Sequence, residues 1–403
     1  MSDTAFAANI PAHVPPHLIR DVDLYNPPGG EKDVHLAWKN IQDNNPDIFF
    51  TPRYGGFWVL TRANLVASAF PDAATFSSDK AIGIPQVPGV IAQLPIESDP
   101  PLHGFYRRPI NLAVSPRAVR GYADAARKLA IDLIEEMKPR GACEFMREFA
   151  GILPMTIFLR LVDLPLEDRE ELMGYTDAVI RGGTYEIKIE GLNKTFAYLE
   201  DWINRRRKEP GTDLLSQIIN MQVDGRPATH EEALGEAAQV LYGGLDTVAG
   251  TMGFFARYLA THDAHREMLV NDPSLIPNAT EELLRRHSIP TVGRRVTRDI
   301  RFGDVELRKG DQIMLMCAMH GLDDRVWAEP LEVDFKRETG ASHAFGSGIH
   351  KCPGASLARA ELKIYLEEWL KRIPVFHLAP GKEPVTLAGP VMGIQSLHLV
   401  WPV

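Results

Sequence analysis

From Glu231 to about Ala260 the chain runs with helical apolar spacing and no proline, opened by Thr229 in an N-cap position. At 1.5 Å per residue such a helix is about 45 Å long, enough to cross a globule of this size, so the remaining chain must wrap around it. Its middle breaks the apolar pattern. Gly243-Gly244-Leu245-Asp246-Thr247 brings two glycines, then a carboxylate and a hydroxyl, into a run where burial is expected. Each glycine costs about 1 kcal/mol of helix stability against alanine. Paired glycines let another helix, or a flat ring, come close to the backbone. A buried carboxylate beside a hydroxyl needs a partner or a chemical task.

A second stretch, Phe345-Gly346-Ser347-Gly348-Ile349-His350-Lys351-Cys352-Pro353-Gly354, sets a cysteine in a glycine-rich loop ahead of a helix from Ala355 to about Lys371. Gly346 and Gly348 permit backbone angles closed to other residues, so the loop can turn amide N–H groups toward one sulfur and favour its thiolate. Pro353 suits a first helical position, and the helix dipole acts on the sulfur in the same sense. Alone, a Gly-x-Gly turn with a buried structural cysteine is the plainer account. Zinc fits poorly, because His350 and Cys352 stand too close for a helical or knuckle pair and no C-x-x-C exists.

The full spacing F-G-x-G-x-H-x-C-x-G is the haem-binding signature of the cytochrome P450 family, and the chain resembles that family along nearly its whole length. The resemblance implies a mainly α fold with smaller β-sheet regions, a single cytochrome P450 domain over residues 1–403, and haem b with Cys352 as the iron ligand. Phe345, Gly348, Gly354 and Gly243 become contacts of the ring. The Gly-Gly-x-Asp-Thr segment resembles the family's oxygen-activating segment, where the helix opens: Thr247 hydrogen-bonds bound dioxygen and Asp246 relays protons from outside. His103 and Arg107, at i and i+4 on one helical face, resemble the pair that holds a haem propionate. By register Arg294 is a second propionate ligand, with Arg295 the competing choice, and His350 a third contact. Glu282 and Arg285 form E-x-x-R, to which Arg337 adds the third member of a buried cluster that pins the cysteine loop.

Within the family the closest resemblance is to the camphor-hydroxylase branch, carried by Gly-Gly-Leu-Asp-Thr, Glu-Glu-Leu-Leu-Arg-Arg and the ending Gly393 to Trp401. Register with that branch sets Arg181 as an ion-pair partner that gates Asp246. It also sets Ile82, Val90, Ile91, Tyr242, Pro290, Val292, Pro390 and Val391 around the substrate. Ile91 falls where the branch has the tyrosine that holds the camphor ketone, so a terpenoid or similarly compact hydrophobic substrate is expected, with camphor itself bound weakly. With no flavin or iron–sulfur module in 403 residues, electrons are expected from a two-iron two-sulfur ferredoxin and its NAD(P)H-dependent reductase. Arg107 and Arg359 keep the docking face basic, whereas Ala67 and Gly340 replace basic residues there.

The rest of the chain bears these expectations out in composition. A net charge of −9 argues against a general nucleic-acid binder, and three scattered cysteines (Cys143, Cys317, Cys352) against a disulfide framework. Met1 to Arg20 has neither a basic start nor an apolar core, and no run of about 18 apolar residues exists, so a cytoplasmic monomer free of membranes is expected. Residues 1–30 read as an extended arm. Hairpins are expected at Ile48–Thr61 and Met221–Pro227. The apolar stretch within 79–98, broken by proline and glycine, reads as an irregular loop packed on the core, and the family resemblance implies that it is the wall and lid of the substrate pocket. Two rival functions remain in sequence terms: a non-catalytic haem-thiolate gas or redox sensor, which has no need of Asp246 and Thr247, and a peroxide-driven haem enzyme.

Overall fold

A computed structural model describes residues 10–86, 90–181, 184–340 and 342–403, without the side chains of Ile180, Arg181 and Tyr185. Its α-helices are α1 (Val34–Asn44), α2 (Ala63–Ala69), α3 (Leu102–Ala113), α4 (Pro116–Met137), α5 (Ile152–Leu161), α6 (Arg169–Arg181), α7 (Tyr185–Lys208), α8 (Leu214–Ile219), α9 (His230–Thr261), α10 (Asp263–Asn271), α11 (Ile276–Arg286), α12 (Cys317–Gly321) and α13 (Ala355–Arg372). The fold is thus helix-rich with small sheets, as expected.

Helix α9 is the long central helix, and it starts where its capping chemistry says it should. The Thr229 hydroxyl accepts from the Glu232 amide at 3.1 Å while the Glu232 carboxylate accepts from the Thr229 amide at 2.7 Å. It packs against α5, α7 and α13, and α13 in turn packs against α4 and α11. An aromatic cluster of Phe145, Phe149, Tyr365, Trp369 and Trp401 fills the space behind α13. A second apolar cluster, from α5, α7, α8 and the first half of α9, contains Phe158, Leu199, Leu215 and Tyr242.

The main sheet runs Ile48–Thr51, Phe57–Leu60, Gln312–Met316, Thr291–Val296, Phe76–Ser77. Its first two strands form the expected hairpin, and Gln222–Val223 pairs with Arg226–Pro227 as the second. Asp224 and Gly225 both hold positive φ, 50° and 80°, the mirror-image turn such a short hairpin demands. Residues 10–30 form no free arm. Arg20 donates its amide to the Phe50 carbonyl at 2.8 Å, and Val14 and Leu24 are buried.

Candidate functional site

The cysteine loop is held where a side chain at either glycine would not fit comfortably. Gly346 and Gly348 have φ of 66° and 69°. A Cβ on Gly348 would stand 2.6 Å from Cα of Pro71. The Cys352 amide donates to the Phe345 carbonyl at 2.9 Å, closing the turn, and Gly354, rather than Pro353, occupies the N-cap of α13. That shift leaves the amides of Gly354 and Ala355 aimed at the sulfur. Burial pushes the Cys352 thiol up, and the Gly354 amide, the Arg107 and Arg359 guanidiniums and the Ala355 amide only partly oppose it. The thiolate expected from the sequence is the form in which the sulfur binds a metal.

Arg359 is more than a basic surface residue. It makes a two-pronged ion pair with Glu281 of α11 at 2.6 and 2.9 Å, and its guanidinium carbon sits 4.5 Å from the Phe345 ring centroid. Sequence reasoning assigned it only to a docking face.

Four groups able to carry positive charge converge beside this loop. The His103 and His350 rings meet edge to face at 4.5 Å, and the Nε2 atom of each is buried with no hydrogen-bond partner among the described residues. Arg107, from the same face of α3 as His103, donates to Asn111 and to the Lys351 carbonyl. Arg294 is 2% exposed, and among the described residues its side chain donates only to the neighbouring Gly293 carbonyl. Burial lowers its pKa to about 10. Burial, then Arg294, His103 and Arg107, push the His350 imidazole down to about 3. Strand alternation settles the choice between adjacent arginines: Arg294 points inward, whereas Arg295 points outward to Lys80 and Gln86. Such a set of underused donors is suited to carboxylates.

Helix α9 carries the opposite wall. Ala233–Ala238 and Val248–Ala256 are buried throughout, yet Gln239, Gly243 and Thr247, one turn apart on one face, are not. In the middle of a helix packed on several sides, that exposure marks interior space. The two glycines differ in what they permit. A Cβ on Gly244 would stand 2.6 Å from the Phe158 ring, so that glycine lets α5 approach; a Cβ on Gly243 would have only the Gln239 Nε2 atom, at 3.7 Å, within 4 Å. The helix stays continuous here rather than opening. The Thr247 hydroxyl donates to the Gly243 carbonyl at 2.9 Å, and Asp246 is 5% exposed. Arg181 ends α6, which packs on α9, but its side chain lies outside the described residues.

Pro290, Val292 and Val391 are only partly buried beside fully buried Met392, and Pro290 bridges to Val391. Gly250 brings this wall against α9, its Cβ position lying 3.1 Å from the Met392 carbonyl. Pro390 is exposed and its carbonyl takes the Thr291 amide at 2.9 Å. Ile82 accepts from the Gly293 amide at 2.9 Å, and Ile91 and Val90 are partly buried in the lid, whose residues 87–89 lie outside the described set. Tyr242 instead packs into the α5–α7–α8 cluster with its hydroxyl buried.

The expected cluster below the loop is assembled in full. Glu282 and Arg285 are both 0% exposed and joined by two 2.8 Å bonds, and Arg337 adds a third at 3.0 Å. Arg285 also donates to the carbonyls of Gly321, Pro330 and Glu332. The cluster thus pins the Gly321–Arg337 meander that leads to the cysteine loop.

A haem-thiolate enzyme is what this combination of central helix, cysteine loop and carboxylate-seeking cradle defines, and the comparisons with known proteins agree. The family model for cytochrome P450 matches residues 270–396. A probable cytochrome P450 127A1 of Sinorhizobium fredii is 35% identical over 97% of this chain and 97% of its own. A steroid C26-monooxygenase of Mycolicibacterium smegmatis is 32% identical over 94% and 96%. The crystal structure of CYP101J2 superposes with a TM-score of 0.88 at 36% identity, covering 98% of this chain and 99% of that one. The chain belongs to the cytochrome P450 family and is a monooxygenase of the bacterial type, whose cofactor is haem bound through a cysteine thiolate. The residues present fit that group: a sulfur faced by the amides of Gly354 and Ala355, two orphaned imidazole nitrogens and a buried arginine bonded only to its neighbour's carbonyl among the described residues. Among the described residues no helix is long and apolar enough to cross a membrane.

Proposed function

We propose that this cytochrome P450 hydroxylates a compact hydrophobic terpenoid, with electrons from a two-iron two-sulfur ferredoxin and its NAD(P)H-dependent reductase. The observation that carries the substrate class is the set of partly buried apolar residues Ile82, Ile91, Pro290, Val292 and Val391, carried on segments two of which meet α9 at Gly235 and Gly250. The lid supports a small substrate over a steroid. Gly235 lets it lie flat on α9, since a Cβ there would stand 2.1 Å from the Ala92 carbonyl.

In this assignment Cys352 is the iron ligand, and His103, Arg107, Arg294 and His350 hold the propionates. Bound haem supplies the oxidising chemistry that inserts one oxygen atom of dioxygen into a C–H bond. The protein supplies protons and a dry space. Thr247 releases its hydroxyl from the Gly243 carbonyl to donate into that space, and Asp246 passes protons to it from the α6 side, with Arg181 as the gate. A sensor would need no such pair. The basic groups around Cys352, Arg107 and Arg359, favour an acidic electron donor.

The test is the Soret band of the reduced protein under carbon monoxide. A strongly red-shifted band is expected, and one resembling histidine-ligated haem would overturn the assignment of Cys352. Spin-state titration with monoterpenes and with steroids then separates the substrate classes; steroid binding tighter than every monoterpene would overturn the compact-substrate proposal.

A further inference from the structure

Resting on the monooxygenase reading of the same site, we propose that Gln239 selects the substrate by hydrogen-bonding an oxygen already present on it. The enzyme would then favour an oxygenated terpenoid over the parent hydrocarbon and hydroxylate it at a carbon remote from that oxygen.

Gln239 and Val240 are partly exposed between buried Ala233–Ala238 and buried Leu241–Tyr242; of the two, Gln239 recurs one turn apart with Gly243 and Thr247 on the face that opens onto interior space. Its Nε2 atom reaches to 3.7 Å from the Cβ position of Gly243, the one neighbour of that bare backbone. The amide therefore lies along the opening rather than away from it. It makes no hydrogen bond to any described residue. A carboxamide can donate twice and accept twice, and leaving it unmatched against an apolar wall is costly unless a ligand or water completes it.

Of the other polar groups along this helix, Glu236 is 0% exposed with neither carboxylate oxygen hydrogen-bonded among the described residues, and the rest are engaged, turned away or without a donor. Thr247 spends its hydroxyl on the Gly243 carbonyl. The Tyr242 hydroxyl is buried in the α5–α7–α8 cluster. Ile91 offers no donor. Gln239 thus supplies the orienting hydrogen bond that the lid lacks, from the opposite side of the space. Gln239 starts two turns from Thr247, but its amide nitrogen reaches Gly243, which lies one turn from Thr247, a rise of about 6 Å. That is roughly the width of a bicyclic monoterpene, so a ketone held at Gln239 directs the far edge of the molecule toward Thr247.

The experiment uses the purified haem-loaded enzyme and matched probes: the ketones fenchone and verbenone, and the hydrocarbons fenchane and pinene. Dissociation constants come from the low-to-high spin shift for the wild type and for Gln239→Leu, a substitution of similar length that suits a helix. Loss of one hydrogen bond is expected to weaken ketone binding roughly fivefold or more while hydrocarbon binding stays equal or tightens. Product analysis should also show the variant scattering hydroxylation over more carbons. An unchanged ratio of ketone to hydrocarbon affinity, or an equal loss for both classes, would overturn the proposal. The reduced carbon monoxide band of each sample reports the haem-thiolate centre separately, so a failure there is distinguishable from a failure of Gln239's role.

Discussion

Replacing Arg285 by leucine should be the most damaging single change below the haem site. The side chain is fully buried and makes two hydrogen bonds to Glu282 and three to the carbonyls of Gly321, Pro330 and Glu332. Removing it leaves the Glu282 carboxylate, itself 0% exposed, with Arg337 and the Asp334 amide alone, and strands the Gly321 and Pro330 carbonyls, while the Glu332 carbonyl keeps Arg337 as a donor. Breaking a buried ion pair from one side costs about 3–5 kcal/mol. Each stranded carbonyl adds a further penalty of order 1 kcal/mol unless water reaches it. Arg337→Leu should cost clearly less, because that side chain is 16% exposed and water can replace part of its role. The double change Glu282→Leu/Arg285→Leu should recover part of the loss, since no charge is then left unmatched. Denaturant titration of the haem-loaded proteins, followed through both the Soret band and far-UV dichroism, measures this ranking. Arg285→Leu within 1 kcal/mol of the wild type, or a double variant worse than the sum of its parts, would refute the account of a pinning charge cluster.

Acid should weaken the fold through buried imidazoles. His35, bonded to the Ser288 carbonyl at 3.0 Å and packed edge to face on His287, has its pKa lowered from 6.5 to about 4, chiefly by burial; His287 shifts the same way. The unfolded chain takes up these protons as pH falls through 6.5 while the folded chain does not, so stability is full above that and declines toward pH 4, by up to about 3 kcal/mol for His35. His35→Phe/His287→Phe should flatten the decline, and an unaltered pH profile of denaturation midpoints would exclude these residues as its source. Gly348→Ala, with φ of 69° and Pro71 Cα 2.6 Å away, should lower haem content and cost about 1–3 kcal/mol, whereas Gly225→Ala, at φ 80° with open space, should leave haem content unchanged. Asp246→Asn should slow product formation roughly a hundredfold. Thr247→Ala should let NAD(P)H be consumed without product; tightly coupled turnover in both variants would remove them from proton delivery.

What the sequence made legible was chiefly what local chemistry dictates. The capping box at Thr229, the Asp224-Gly225 turn and the glycines of the cysteine loop each announce a backbone conformation that few other residues tolerate, and each appears as read. Arg294 over Arg295 rested on family register alone, because both lie in one strand and only the sheet decides which face is inward. The meaning of Gly243 against Gly244 was hidden for the same reason: one glycine yields to Phe158 and the other faces open space, a difference made by a helix over eighty residues away. Gln239 passed unnoticed because a glutamine in a helix is unremarkable until its neighbours are seen to be buried.

Glu281 and Glu282 are consecutive on α11 yet face opposite tasks, Glu281 holding Arg359 against Phe345 and Glu282 holding Arg285 and Arg337 beneath the meander. The posture of the cysteine loop is therefore written into a helix some seventy residues upstream. For protein engineering this makes residues 345–354 a poor transplant by themselves. Moved into another scaffold without α11, they would carry the ligand sulfur but not the bracing that sets its surroundings, and chimeras within the family should be cut so that α11 and α13 travel together.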